Sequence, residues 1–343
     1  MFGFGKKSVV GVDIGTSSIK LVELSRENGH FKLETYGVAQ MTKTTNLVEG
    51  QSPLSLAIKT LGELLAKARV STRHVVASLP TSTVFISVIE IPKLGSTQQK
   101  KAIELEAKKI IPLPIEDVTV SWNLIPNEDV LKAGRDLILL TAVPNHVIAN
   151  YLKVFQELKL QPEAIEVEAT ALVRSLVGQD NSVVLILDIG SKTSTINLID
   201  KGFIYYSKNI NVGGEAITSG IAQALNVNPE RAEQFKRSLS ATSATQSKEI
   251  PRAIQPIVEI IKVEVDQLIH LAAARGRAVE KIILSGGGSK FAGLDKFFSS
   301  FNIPITLGNP WARVVVPPQV RSLVDDLGPT LAVGTGLAMR MES

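Results

Sequence analysis

The sequence predicts an α/β chain built from two related halves, and two segments far apart point there first. Val10 to Ser18 (VGVDIGTSS) and Leu185 to Thr193 (LILDIGSKT) read alike: an apolar run, then Asp, one apolar residue, Gly and a cluster of hydroxyls. The pattern is that of a buried strand ending in a tight turn. Glycine lets backbone approach a ligand closely, amides and hydroxyls can face a phosphate, and the carboxylate can hold a water-wrapped divalent cation. A third observation is that each turn is followed by further short strand-like runs and then a helix-like pattern. Two such units suggest a pair of domains closing on one nucleotide.

The first strand, Val9 to Ile14, leads through its turn into Ile19 to Leu24 and Phe31 to Ala39, a β-meander. A helix begins at Ser52 with Pro53 in its first turn, and Leu54, Ile58, Leu61, Leu64, Leu65 and Ala68 share one face. His74 to Pro80 is another strand. Between Val84 and Pro162 the pattern changes. A strand (Val84 to Pro92), a helix (Ser96 to Ile111), a strand pair (Trp122 to Ile125, Asp136 to Val143) and a helix (Asn145 to Leu160) form a compact β-α-β-β-α unit. It carries no phosphate turn, so a scaffold or interaction role suits it.

Ile165 to Leu176 reads as a bridging helix. The second half opens at Ser182 and repeats the layout through Ile196 to Ile199 and Phe203 to Ser207, with a helix after Asn211. Ser238 to Ser247 is a small-polar stretch read as an exposed loop. A long helix from about Arg252 to Arg275 and a strand, Lys281 to Leu284, deliver Ser285-Gly286-Gly287-Gly288-Ser289. A glycine-rich helix from Leu327 to Arg340 ends the chain. The implied division is 1–83 for the first domain, 84–162 for an inserted subdomain and 163–181 for a connecting helix. The second domain then takes 182–326, with a smaller subdomain at about 213–278, and 327–343 is a helix returning to the first.

Composition excludes several classes. Hydrophobic residues make up 44% of the 343 and charged residues 20%, which supports sizeable cores rather than disorder. A net charge of +4 from 37 basic and 33 acidic residues does not call for nucleic acid. The absence of cysteine excludes disulfides, thiolate catalysis and cysteine zinc sites, and His30, His74, His146 and His270 are scattered. No apolar run reaches the roughly 18–20 residues of a membrane span, and Lys6 and Lys7 follow the short Phe2–Phe4 piece, unlike a signal peptide. That terminus reads either as a loose end or as a small foot on a membrane or partner. The expected location is the cytoplasm.

Together these pieces resemble the actin-like ATPase superfamily, whose fold duplicates a ribonuclease-H-like domain. Five ordered elements carry the resemblance: Asp13 to Lys20 and Asp188 to Thr193 as the two phosphate motifs, Ile165 to Leu176 and Gly334 to Ala338 as connecting helices, and Ser285 to Ser289 as the adenosine motif. The resemblance implies ATP and Mg²⁺ as ligands. Asp13 and Asp188 would hold Mg²⁺ through waters or orient the attacking water. Glu168 is either a water-orienting residue or a plain polar helix position. Gly15, Thr16 and Ser17 would cradle the β-phosphate, with Lys20 neutralising charge. Gly190 and Thr193 would approach the γ-phosphate. Gly213 and Gly214 resemble a glycine pair passing close to the phosphates. Glu233 and Lys236, in an A-E-x-x-K pattern, would face ribose and base, and Gly286, Gly287 and Gly288 would lie beside adenosine. Lys192 stands where actins favour glycine; it would either add a phosphate contact or crowd the γ-phosphate, so at most slow ATP turnover is expected.

The insert argues for the FtsA/PilM branch. The opening FGKK, Ile91-Pro92 followed by the EAKKIIP helix (Glu106 to Pro112), and the VEATAL segment (Val167 to Leu172) look like the type IV pilus assembly family PilM. FtsA proteins add a C-terminal amphipathic membrane helix, and the stop at Ser343 sets the opposite expectation. The resemblance implies an ATP-binding adaptor at the inner-membrane pilus platform. It would grip the cytoplasmic N-terminal tail of a PilN-like protein between the first domain's core and the insert. Self-association and contacts with other platform proteins or motor ATPases stay open. The rival readings are an FtsA-like filament protein and, from another class, a sugar-kinase-type phosphotransferase.

Overall fold

A computed structural model describes residues 8–41, 53–241, 251–291 and 293–342. Phe2, Phe4, Lys6, Lys7, Ser52 and the small-polar residues 242–247 lie outside the described residues.

Strands β1 (Ser8–Ile14), β2 (Ser18–Glu27) and β3 (His30–Gln40) form the antiparallel meander that the alternating pattern predicts. After α1 (Pro53–Lys67), β4 (His74–Leu79) pairs in parallel with β1. The inserted layer follows: β5 (Phe85–Pro92), α2 (Ser96–Ile110), β6 (Val118–Ile125), α3 (Glu128–Lys132) and β7 (Arg135–Pro144). Then come α4 (Asn145–Glu157), β8 (Gln161–Val167) and α5 (Glu168–Leu172), which runs into a π-turn over Val173–Val177. The second half holds β9 (Val184–Ile189), β10 (Ser194–Asp200), β11 (Phe203–Ile210), α6 (Gly214–Leu225), α7 (Pro229–Ala241) and α8 (Gln255–Ala274). The last elements are β12 (Lys281–Ser285), α9 (Leu294–Phe298), β13 (Ile305–Leu307), β14 (Val314–Val315) and α10 (Arg321–Ala338).

The two large sheets repeat one topology. The first runs β14-β3-β2-β1-β4-β8 and the second β11-β10-β9-β12-β13. In each, three antiparallel strands are followed outward by two parallel ones. This is the duplicated ribonuclease-H-like arrangement of the actin-like ATPase fold. The halves share a core in which Val9, Val22 and Val76 meet Val184, Ile186 and Ile283 through Leu331, Val333 and Leu337 of α10. Close backbone approach makes that junction: a Cβ on Gly11 would stand 2.1 Å from the Gly334 oxygen.

The inserted sheet, ordered β5-β7-β6, has apolar residues on both faces. One face packs under α2 through Ile91, Ile103, Ala107 and Leu140. The other meets the second half: Ile125, Leu137 and Leu139 cluster with Val167, Ala169 and Ile204, and Asn127 Nδ2 donates to Tyr205 Oη at 3.2 Å.

Four elements differ from the sequence reading. Ile165 to Val167 closes strand β8, paired with β4, and only Glu168 onward is helical; Pro162 and alternating Ile165 and Val167 suit an edge strand. Helix α4 joins the first core, where Val154 and Phe155 pack with Leu61 and Leu64, rather than the inserted layer. Helix α7 runs on to Ala241, through the start of the expected loop. Helix α10 starts at Arg321, ahead of Leu327, so that Pro329 sits inside it rather than in its first turn.

Candidate functional site

The two turns meet across a cleft of about 1170 Å³ between the halves. Asp13 and Lys20 are cross-strand partners in the β1–β2 register, so their spacing in the chain is a hairpin spacing. Lys20 Nζ donates to Asp13 Oδ2 at 3.0 Å, and Ser78 Oγ of β4 donates to Oδ1 at 3.2 Å. Burial opposes the Lys20 charge, yet Asp13, helped by Asp188 and Glu168, raises its pKa above the ordinary value.

The turns themselves are built alike. Gly15 N–H donates to the Ser18 carbonyl at 3.1 Å, and Gly190 N–H to the Thr193 carbonyl at 2.9 Å. Gly15, Thr16, Ser17, Gly190 and Thr193 all line the cleft. Asp188, at the end of β9, faces Asp13 from the other half. Burial lifts its carboxyl to about 6, against the pull of the Ser285 hydroxyl and Lys20. Its Oδ1 is buried without a hydrogen-bond partner.

Glu168, the first residue of α5, completes the acidic group. Thr81 N–H donates to its Oε2 at 3.2 Å. Burial, then the charges of Asp13 and Asp188, pushes its pKa up to about 8. The strand-to-helix change at Val167 puts it there, since the first helical residue sits at the end of β8 beside the turn that follows β4.

On the second half Lys236 ties α7 to α6. Its Nζ donates to Gly214 O at 3.0 Å and Thr218 Oγ1 at 2.8 Å, and pairs with Glu233 at 2.6 Å. Burial would raise the Glu233 pKa, but Lys236, Thr218 and Arg237 outweigh it and bring it down to about 2. Gly214 N–H donates to Gly190 O at 2.9 Å, fastening this helix pair to the second turn. Gly286, with φ +82°, lies so close to β9 that a Cβ would be 2.5 Å from the Ile189 oxygen. With Gly287 and Gly288 it lines the far wall.

Of the predicted residues, Lys192 and Gly213 do not line the cleft. Lys192 is exposed, and Gly213 instead allows contact with the turn, where a Cβ would meet Ser191 O at 2.6 Å. Sequence reasoning missed Thr81, Arg237, Lys290 and Asp326, all of which line it; Lys290 and Asp326 are ion-paired at 2.5 Å. The Thr81-Ser82-Thr83 run after a strand was a readable signal for the first. Nothing local marks Asp326, which reaches the cleft only because α10 starts early.

Chemically, the cleft offers ammonium groups and turn amides to a polyphosphate, with carboxylates beyond them. Among the described residues no cluster of acidic or histidine side chains could hold a metal by itself. A cation here would therefore take most ligands from water and phosphate, as Mg²⁺ does, and the unpartnered Asp188 oxygen fits an acceptor for such a water.

Known proteins place the chain. A solved structure described as the PilM-PilN type IV pilus biogenesis complex matches with a TM-score of 0.83 and 27% identity, covering 97% of this chain and 98% of that one. The cell division protein FtsA of Pseudomonas aeruginosa is 26% identical over 215 residues, 55% of this chain. FtsA of Streptococcus pneumoniae is 22% identical over 333 residues, 83% of this chain. The match spans 50% of the length of the Pseudomonas protein and 71% of the pneumococcal one. The sequence profile of the type IV pilus assembly protein PilM matches residues 11–342. With that match over nearly the whole length and the duplicated fold, the chain belongs to the PilM family of type IV pilus assembly proteins.

Proposed function

We propose that this chain is an ATP-binding adaptor of the type IV pilus inner-membrane platform, cytoplasmic and held at the membrane by a PilN-like partner. The observation that carries the nucleotide reading is the convergence of Asp13, Lys20 and Asp188, from two similar strand-turn units, with Glu168 of α5 on one cleft. Lys20 and the two turns, through Thr16, Ser17 and Thr193, bind the phosphates, and the wall at Gly286 to Gly288 takes the nucleoside. Asp13 and Asp188 would hold Mg²⁺ through waters, and the ion would supply charge neutralisation to the phosphates. Glu168, whose pKa burial and the charges of Asp13 and Asp188 push up, stands beside the two aspartates. At most a slow turnover of ATP belongs to this reading.

The partner reading rests on family membership and on the PilN component of the similar complex. The cytoplasmic N-terminal tail of a PilN-like protein lies between the first core and the inserted sheet. That sheet also touches β11 and α5, so closure of the halves on nucleotide reaches the groove and shifts its population between tail-binding states. Calorimetric titration with Mg·ATP and with the tail peptide tests this. Binding of both, with peptide affinity altered by ATP, is expected; a peptide affinity identical in apo and ATP-bound protein removes the coupling.

A further inference from the structure

The outward face of α2 has no part in the cleft. Ile103 and Ala107 bury the inner side of the helix against the inserted sheet. Lys101, Leu105 and Lys108 fall at i, i+4 and i+7 on the outer side, flanked by Lys100, and all four are exposed. Leu105 is 61% exposed; Leu94, just before the helix, and Leu113, just after it, are 38% and 46% exposed. Lys93, Lys100, Lys101 and Lys108 form no ion pair among the described residues. Of the helix's carboxylates, Glu106 is paired with Lys109 at 2.6 Å, and Glu104 alone shares the exposed stripe.

We propose that this face of α2 docks on an anionic lipid surface. Lysines with free ammonium groups match headgroup phosphates, and Leu105 between Lys101 and Lys108 can enter the boundary of headgroup and acyl chain. Long lysine stems lie along such a boundary with the charge kept in water. A protein partner is a poorer fit, since interface cores favour aromatic residues and arginine and are depleted in lysine. The outer face of α2 has neither aromatics nor arginine. The attraction is peripheral and reversible, and falls as salt screens the charges.

The test is co-sedimentation of the full chain with vesicles of phosphatidylethanolamine and phosphatidylglycerol, against vesicles of phosphatidylcholine alone. Binding to the anionic vesicles only, weakened by salt, is expected. Lys101→Ala with Lys108→Ala should lower the partition coefficient roughly tenfold or more. Leu105→Gln should lower it several-fold. Lys59→Ala with Lys67→Ala on α1, which removes the same charge elsewhere, should leave it near wild type. These residues are exposed, so thermal melts should be unchanged. Equal binding to neutral vesicles, or equal loss in the α1 variant, overturns the proposal. No binding to anionic vesicles also overturns it and leaves the lysines to an acidic protein partner.

Discussion

Gly336 of α10 lies against the carbonyl of Ala171 in α5, so close that a Cβ would stand 1.9 Å from the oxygen. The two helices that join the halves therefore cross backbone to backbone. Arg174 fastens the crossing, donating to Gly336 O at 2.6 Å and to Glu166 at 2.7 and 3.0 Å, while Arg340 reaches the same carboxylate at 2.5 Å. Gly336→Ala has no room without parting the helices, and should destabilise the protein by about 1–3 kcal/mol. Gly287→Ala, where a Cβ meets nothing within 4 Å, should cost far less. Denaturant unfolding of the two variants checks the contrast.

Lys20 neutralises Asp13 and, in the proposed function, binds phosphate. Lys20→Met should weaken Mg·ATP binding by about tenfold or more and also lower stability, because Asp13 is then buried without its cation. Adding Asp13→Asn should recover the stability but not the affinity. Calorimetry beside thermal melts separates the two effects.

Lys192 and Lys236 should behave oppositely. Lys192 is exposed and not part of the cleft lining, so Lys192→Ala should change ATP affinity by less than about twofold. Lys236→Ala removes the tie between α7 and the Gly214 backbone and leaves Glu233 without its closest cation. It should weaken ATP binding by about tenfold. Side-by-side titrations decide it.

Glu168 gives the fold a pH dependence of definite sign. Its pKa rises from an ordinary 4.5 to about 8 on folding, so the folded state holds more protons between those values. Its contribution to stability therefore falls as pH rises through that window. Glu168→Gln should unfold at a higher temperature than wild type near pH ~8.5, by the equivalent of about 1 kcal/mol or more, and differ little near pH ~4.5. A melting curve in which both proteins lose stability in parallel across the window would rule this out.

Asp13, Lys20 and the glycine turns were readable because turn chemistry and hairpin spacing are local. Glu168 was readable only as a residue type, since placing it depends on where β8 ends and α5 begins. Thr81 and Asp326 depend on how separate strands and helices converge, which no local pattern encodes.

Periodicity and turn residues thus determined by themselves the repeated halves, the inserted layer and the two similar Asp-x-Gly turns. Each of those follows from chain-local preferences of apolar spacing, glycine and proline. Tertiary structure alone decided that Lys192 stays out of the cleft lining, that α4 belongs with the first core, and that the inserted sheet touches the second half. It also decided that Asp188 and Glu168 hold protons more tightly than ordinary carboxyls. Those outcomes come from burial and from charges brought close by residues far apart in the chain, quantities that exist only once both halves have packed around α10.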